Sequence, residues 1–96
     1  MTKTPITIEL FILEMCPYCI KARRFLDQLL QEEKYKDIEI KIVDERKERA
    51  YANQFNYYLV PSFYYDKVKL FEGVMNLQDV QNTLDKAIEL SQIKNQ

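Results

Sequence analysis

Between Ile6 and Leu30 the spacing of apolar residues changes from two to three or four, and the change falls on Cys-Pro-Tyr-Cys at residues 16–19. Upstream, Ile6, Ile8, Leu10 and Ile12 alternate with Thr7, Glu9, Phe11 and Leu13. This is the pattern of a strand, and its polar residues run out toward the end, as in a strand covered on both faces. Downstream, Cys19, Ala22, Phe25, Leu26, Leu29 and Leu30 recur at helical spacing. Pro17 fits the first turn of that helix, where a missing N–H costs nothing. A strand that feeds directly into a helix bearing both cysteines of the chain leaves few architectures open.

After the helix the apolar stripe fades over residues 31–37. Ile38, Ile40 and Ile42 then alternate with Glu39 and Lys41, which predicts a strand with one wetter face at a sheet edge. Residues 45–55 hold helix formers and a thin apolar stripe at Ala50, Tyr51 and Phe55, predicting a second helix. Residues 62–65 and 68–71 read as a hairpin that turns at Asp66 and Lys67 without the usual glycine. Gly73, the single glycine, ends the second hairpin strand. Asn76 followed by Asp79 predicts a helix N-cap. Leu77, Val80, Leu84, Ala87 and Ile88 mark the last helix, with residues 91–96 expected to fray. The order is β-α-β-α-β-β-α, and its first half is a β-α-β unit with parallel strands and a right-handed crossover. No repeat, linker or low-complexity tract interrupts it, so residues 1–96 read as one domain.

Composition removes several function classes. Apolar residues make up 47% of the 96 positions, an ordinary globular share. The net charge of −1, with both signs mixed, lacks the basic excess that a nucleic-acid footprint requires. The apolar stretch at residues 6–13 is interrupted by Glu9, is too short to span a bilayer and precedes no cleavage pattern. The expected setting is therefore cytoplasmic, with no membrane and no nucleic-acid partner. In a reducing compartment, two cysteines point to catalytic or metal-binding use rather than to a static disulfide.

Cys16 stands where the strand ends and the helix begins, and Cys19 lies one turn further in. Positions three apart on a helix have Cβ atoms roughly 5–6 Å apart, so a small adjustment reaches the ~3.5–4.5 Å of a disulfide. Free N–H groups and the positive end of the helix dipole favour a thiolate at Cys16. Cys19, deeper in, has less access to that field. The asymmetry assigns Cys16 as the attacking thiol and Cys19 as the resolving one. Lys21, Arg23 and Arg24 nearby read as solvated helix charges. Structural zinc takes four ligands, whereas this chain has no histidine and no second cysteine pair. No metal site is expected. A dimer that holds an iron–sulfur cluster or metal through Cys16 is the alternative of another class.

With the motif placed, the chain resembles the glutaredoxin branch of the thioredoxin-fold superfamily over about residues 6–88. The residues that carry the resemblance are Cys16-Pro17-Tyr18-Cys19 with the helix that follows, "YYLVPSFYY" at 57–65 and "FEGVMNLQDV" at 71–80. It implies an α/β fold with a four-stranded mixed sheet, order 2-1-3-4, and helices on both faces. Pro61 is then cis and faces the cysteines, leaving the Val60 backbone open to an extended substrate. Pro17, Tyr18, Val60, Pro61 and Gly73 are implied to form the substrate site. The implied activity is dithiol–disulfide exchange on protein or small-molecule disulfides by a monomer with no bound cofactor. Electrons come from glutathione or from a reductase; a thioredoxin-like carrier served by a flavin reductase is the alternative within the enzyme class.

The chain departs from the family where glutathione is usually held. The basic residue three positions before the first cysteine is Leu13, the glycine pair is Glu72-Gly73, and the acidic pair before the last helix is Met75-Asn76. Glu14 and Glu72 are expected to oppose a glutathione carboxylate. Tyr18 is expected to lie exposed over the cysteines, and Tyr57, Tyr58, Tyr64 and Tyr65 to serve in packing.

Overall fold

The computed structural model describes residues 5–94. Its elements are β1 (Ile6–Ile12), α1 (Pro17–Leu29), a 3-10 turn (Glu33–Tyr35), β2 (Ile38–Asp44), α2 (Arg49–Ala52), β3 (Ser62–Tyr65), β4 (Val68–Glu72) and α3 (Leu77–Lys94). The strands form one sheet in the expected order, β2-β1-β3-β4. The α1 crossover makes β1 and β2 parallel, from Ile6 beside Ile38 to Ile12 beside Asp44. The hairpin makes β3 antiparallel to β4, and β3 also runs antiparallel to β1.

The period-two pattern of β1 sorts its side chains to two cores. Ile8, Leu10 and Ile12 join Phe63 on one face, under Ala22, Leu26 and Leu29 of α1 and Val80, Leu84 and Ala87 of α3. Phe11 points the other way, into a second cluster with Val43, Ala52 and Tyr64, flanked by Tyr51, Phe55 and Tyr57. Its ring centroid lies 4.6 Å from Phe55, 5.1 Å from Tyr57 and 5.6 Å from Tyr64. Aromatic rings therefore cover most of the face opposite α1 and α3.

That cluster explains two departures from the sequence expectation. The second helix is a single turn, Arg49–Ala52, instead of residues 45–55. The chain before it stays tied to the sheet, with the Glu45 N–H donating to the Ile12 carbonyl. The chain after it places Phe55 and Tyr57 against Phe11, which a continuing helix would carry away. Ala52 is the buried alanine, and Ala50 is exposed. In β2, likewise, Ile42 is exposed while Val43 is fully buried under the rings, so the wetter face does not hold to the strand's end.

Other differences are local. Residues 33–35 form a 3-10 turn that buries Tyr35, whose hydroxyl donates to Asp85 at 2.7 Å. Asp66 and Lys67 both take left-handed backbone angles, φ 49° and 67°, as a two-residue hairpin demands even without glycine. Tyr64 pairs with Lys69 but Phe63 pairs with Phe71, so Leu70 is an extra residue in β4, a β-bulge. The last helix opens on reciprocal bonds: the Asp79 N–H donates to Asn76 Oδ1 at 2.8 Å and the Asn76 N–H to Asp79 Oδ2 at 2.9 Å. It does not fray at residue 91. Ser91 is buried, its hydroxyl donates to the Ile88 carbonyl, and the helix runs on to Lys94, which pairs with Asp66 at 3.0 Å. The last two residues of the expected frayed end, 95 and 96, lie outside the described residues.

Candidate active site

Three chain segments meet at the end of the sheet where β1 finishes. The first is the turn from Leu13 to Cys16. Cys16 is the N-cap of α1, with extended angles of φ −72° and ψ 122°. Its N–H donates to the Leu13 carbonyl and its carbonyl accepts from the Ile20 N–H, both at 3.0 Å. Pro17 follows at the first helical position. The second segment leads into β3. Ser62 pairs with Phe11, so the preceding Pro61 falls beside Ile12 and the Cys16 turn. The Val60–Pro61 bond is cis. The third segment leaves β4, whose last residue, Glu72, pairs with Ser62.

Both cysteines are free thiols in unlike settings. Partial burial pushes the Cys16 thiol up, but the Cys19 amide, the Cys19 thiol and the Tyr18 amide outweigh it by hydrogen bonding, so it lies below its ordinary value. Cys19 is 1% exposed. Burial pushes its thiol up to about 12; a backbone bond from Leu13 works against this, while Cys16 and the Glu45 carboxylate add to it. Of the two, the outer sulfur gives up its proton more readily than the inner one. The more acidic thiol is also the more accessible one.

Around Cys16 runs a groove of about 340 Å³, lined in part by Leu13, Met15, Arg46 and Lys47. Met15 is 85% exposed and Tyr18 about half exposed. Glu14 pairs with Lys47 at 3.2 Å. Lys21, Arg23 and Arg24 are exposed on α1. Across the site Val60 is half-buried and Pro61 buried. Gly73 is buried beneath the loop, with φ +97°, and its N–H donates to the Pro61 carbonyl at 2.8 Å. A Cβ there would lie 3.3 Å from Leu59 Cδ1. Gly73 therefore supports the loop from below, and Val74 is the residue that segment exposes.

Several expectations change here. Tyr57 and Tyr64 pack, but Tyr58 is 88% exposed and Leu59 59% exposed, so neither anchors the loop through burial. Glu72 does not point at a substrate: its carboxylate accepts from the Tyr58 and Leu59 N–H groups and from Lys69. Met75 is a core residue and Asn76 is spent on the α3 cap, so neither is available to a ligand as the family's acidic pair is. Sequence reading missed Met15, Leu59 and Val74, exposed apolar side chains on the three segments that converge here, and Glu45 as a charge near Cys19. The unbroken Tyr57-Tyr58-Leu59 run ahead of Val60-Pro61 was the available signal. Among the described residues no group of three or more His, Cys, Asp or Glu side chains is placed to hold a metal ion.

Among solved structures, the chain is similar to a malarial protein at 20% identity, with a TM-score of 0.69, covering 88% of this chain and 99% of that one. It is also similar to an uncharacterized thioredoxin-like protein from Clostridium perfringens, at 23% identity and a TM-score of 0.64, over 90% of this chain and 73% of that one. Thioredoxin 1 from Thermosipho africanus aligns at 23% identity and a TM-score of 0.62, over 91% of this chain and 99% of that one. These likenesses establish a thioredoxin-like fold. No curated protein sequence matches the chain. The glutaredoxin family model matches residues 8–68, a span that includes Cys16, Cys19 and the cis Pro61. More than half of the chain thus fits one family pattern, and the protein belongs to the glutaredoxin family, whose general business is redox chemistry at thiols.

Proposed function

We propose that the protein is a dithiol–disulfide oxidoreductase in which Cys16 attacks and Cys19 resolves. The observation that carries this reading is the contrast between the two sulfurs: one reachable and lowered, the other buried and raised. The Cys16 thiolate forms a bond to one sulfur of the substrate disulfide. The substrate bond breaks, and its other sulfur leaves as a thiolate that takes a proton. Cys19 then gives up its proton and attacks the Cys16 sulfur, forming the Cys16–Cys19 disulfide and releasing the second substrate thiol. Two electrons have passed to the substrate, and a thiol reductant such as glutathione, or a reductase, returns them.

Protein disulfides are the proposed substrates, because the segments that converge on the site expose apolar Met15, Leu59 and Val74 and the family's ionic contacts to glutathione are absent at Leu13, Met75 and Asn76. Charge-assisted bonds contribute about 1.5–3 kcal/mol each when shielded, so losing two weakens glutathione binding by roughly a hundredfold. The test is trapping. Cys19→Ser should accumulate a mixed disulfide at Cys16, read by mass spectrometry, and Cys16→Ser should abolish exchange. Trapping by Cys16→Ser but not by Cys19→Ser would reverse the roles. Comparing reduction of the oxidised protein by glutathione and by a thioredoxin reductase identifies the electron source.

A further inference from the structure

The Glu72 carboxylate makes three bonds. Its Oε2 accepts from the backbone N–H of Tyr58 at 2.9 Å and of Leu59 at 3.0 Å, and its Oε1 lies 2.6 Å from Lys69 Nζ. Two successive amides and an ammonium are the donor set with which proteins bind a free carboxylate. Here the anion is supplied by the chain itself. The bulge at Leu70 makes this possible. In an unbroken strand Lys69 and Glu72, three apart, face opposite sides. With Leu70 skipped, Lys69 stands opposite Tyr64 and Glu72 opposite Ser62, and Ser62 and Tyr64 share one side.

The loop depends on this contact. Tyr58 and Leu59 belong to no helix or strand and are largely exposed, so burial does not hold them. The Leu59 carbonyl accepts from the Ser62 hydroxyl and the Leu59 N–H donates to Glu72, which fixes both backbone groups of that residue. Val60 and Pro61 follow immediately and reach the site through this tethered stretch.

We propose that Glu72 is a positioning residue, a built-in carboxylate that fills an anion site formed by the Tyr58 and Leu59 amides and Lys69 and so sets the loop that faces Cys16. Once the side chain is truncated, the same site accepts a small carboxylate from solution. The effect on turnover rests on the oxidoreductase reading above; the brace itself does not.

Backbone hydrogen exchange followed by NMR tests the brace without reference to catalysis. In Glu72→Ala, exchange at Tyr58 and Leu59 should rise about threefold or more, as expected for partly exposed charged bonds. KM for a disulfide-linked peptide should rise, while the rate of Cys16 alkylation stays unchanged. Sodium formate should restore both protection and KM, and sodium chloride at equal ionic strength should not. Glu72→Gln, which keeps an acceptor oxygen but no charge, should show a smaller rise in exchange, and it remains informative if the alanine variant does not fold. Unchanged exchange at both amides in Glu72→Gln and Glu72→Ala, or formate without effect on a folded Glu72→Ala protein, overturns the brace. Lost protection with unchanged KM overturns its positioning role. A wild-type protein without exchange activity would remove the oxidoreductase reading and leave the amide measurement to decide the brace alone.

Discussion

The Tyr57 hydroxyl donates to Glu45 Oε1 at 2.8 Å, joining the segment ahead of the cis-proline to the residue that follows β2. Glu45 is anchored at its backbone as well, its N–H donating to the Ile12 carbonyl at 3.0 Å. The carboxylate is thereby held where its charge reaches Cys19. In Tyr57→Phe the ring should stay against Phe11 while Glu45 loses its partner, at a cost of about 1 kcal/mol in urea denaturation. Glu45→Gln removes negative charge and should lower the Cys19 thiol, so that alkylation of Cys19 in a Cys16→Ser background begins at lower pH.

The reduced protein should respond to pH through both thiols, with opposite signs. Cys16 is lowered on folding, so its contribution is present above the ordinary value of 9.0 and fades as pH falls through the lower folded value. Cys19 is raised, so its contribution is present below 9.0 and is lost as pH rises toward about 12. Stability of the reduced wild type should fall more steeply over that alkaline window than stability of Cys19→Ser. Equal slopes in paired denaturation curves would contradict the assignment.

Gly73→Ala should be poorly tolerated. The position has φ +97°, which an L side chain rarely adopts, and the new methyl would meet Leu59 Cδ1 at 3.3 Å. The left-handed backbone alone costs about 1–2 kcal/mol. Chemical denaturation should show a loss of at least that size, with amide shifts centred on residues 58–61.

The start of α3 limits how the site can be redesigned. Asn76→Ala removes the side chain that caps Asp79 and should cost about 1 kcal/mol. Placing an acid at Met75 to imitate the family's pair should destabilise the core, because that side chain is buried, 5% exposed. Leu13→Lys with Asn76→Asp is the workable pair. Asp at 76 keeps a capping oxygen, and the double variant should lower KM for a glutathionylated peptide with little change in kcat.

An acid titration isolates Glu72. The Lys69 ammonium and the Tyr58 and Leu59 amides hold its carboxyl down to about 2 from 4.5. A depressed carboxyl contributes above its unfolded value and loses that contribution as pH falls through the folded one. Protection of the two amides should therefore persist below pH 4.5 and fail near 2. Loss at the ordinary carboxyl value would contradict the bonding described.

The order of elements was legible in the chain because it rests on neighbours in sequence, whereas the sheet order and the facing of the Cys16 turn by Val60-Pro61 were implied only by the resemblance to a known family. Period two in β1, helical spacing from Cys19 to Leu29, and Asn76 three residues before Asp79 are local patterns that persist in any tertiary setting. What the tertiary structure decided lay between segments. The second helix is confined to Arg49–Ala52, and the chain after it instead sets Phe55 and Tyr57 against Phe11. Val43 rather than Ile42 is buried because rings from distant residues cover that side of β2. Glu72 turned from an expected repulsive charge into a tether because one bulged residue, Leu70, moved Lys69 to its side of the sheet. Cross-strand register decides which distant groups meet, and a single extra residue reverses it, a shift that side-chain spacing along one strand does not reveal.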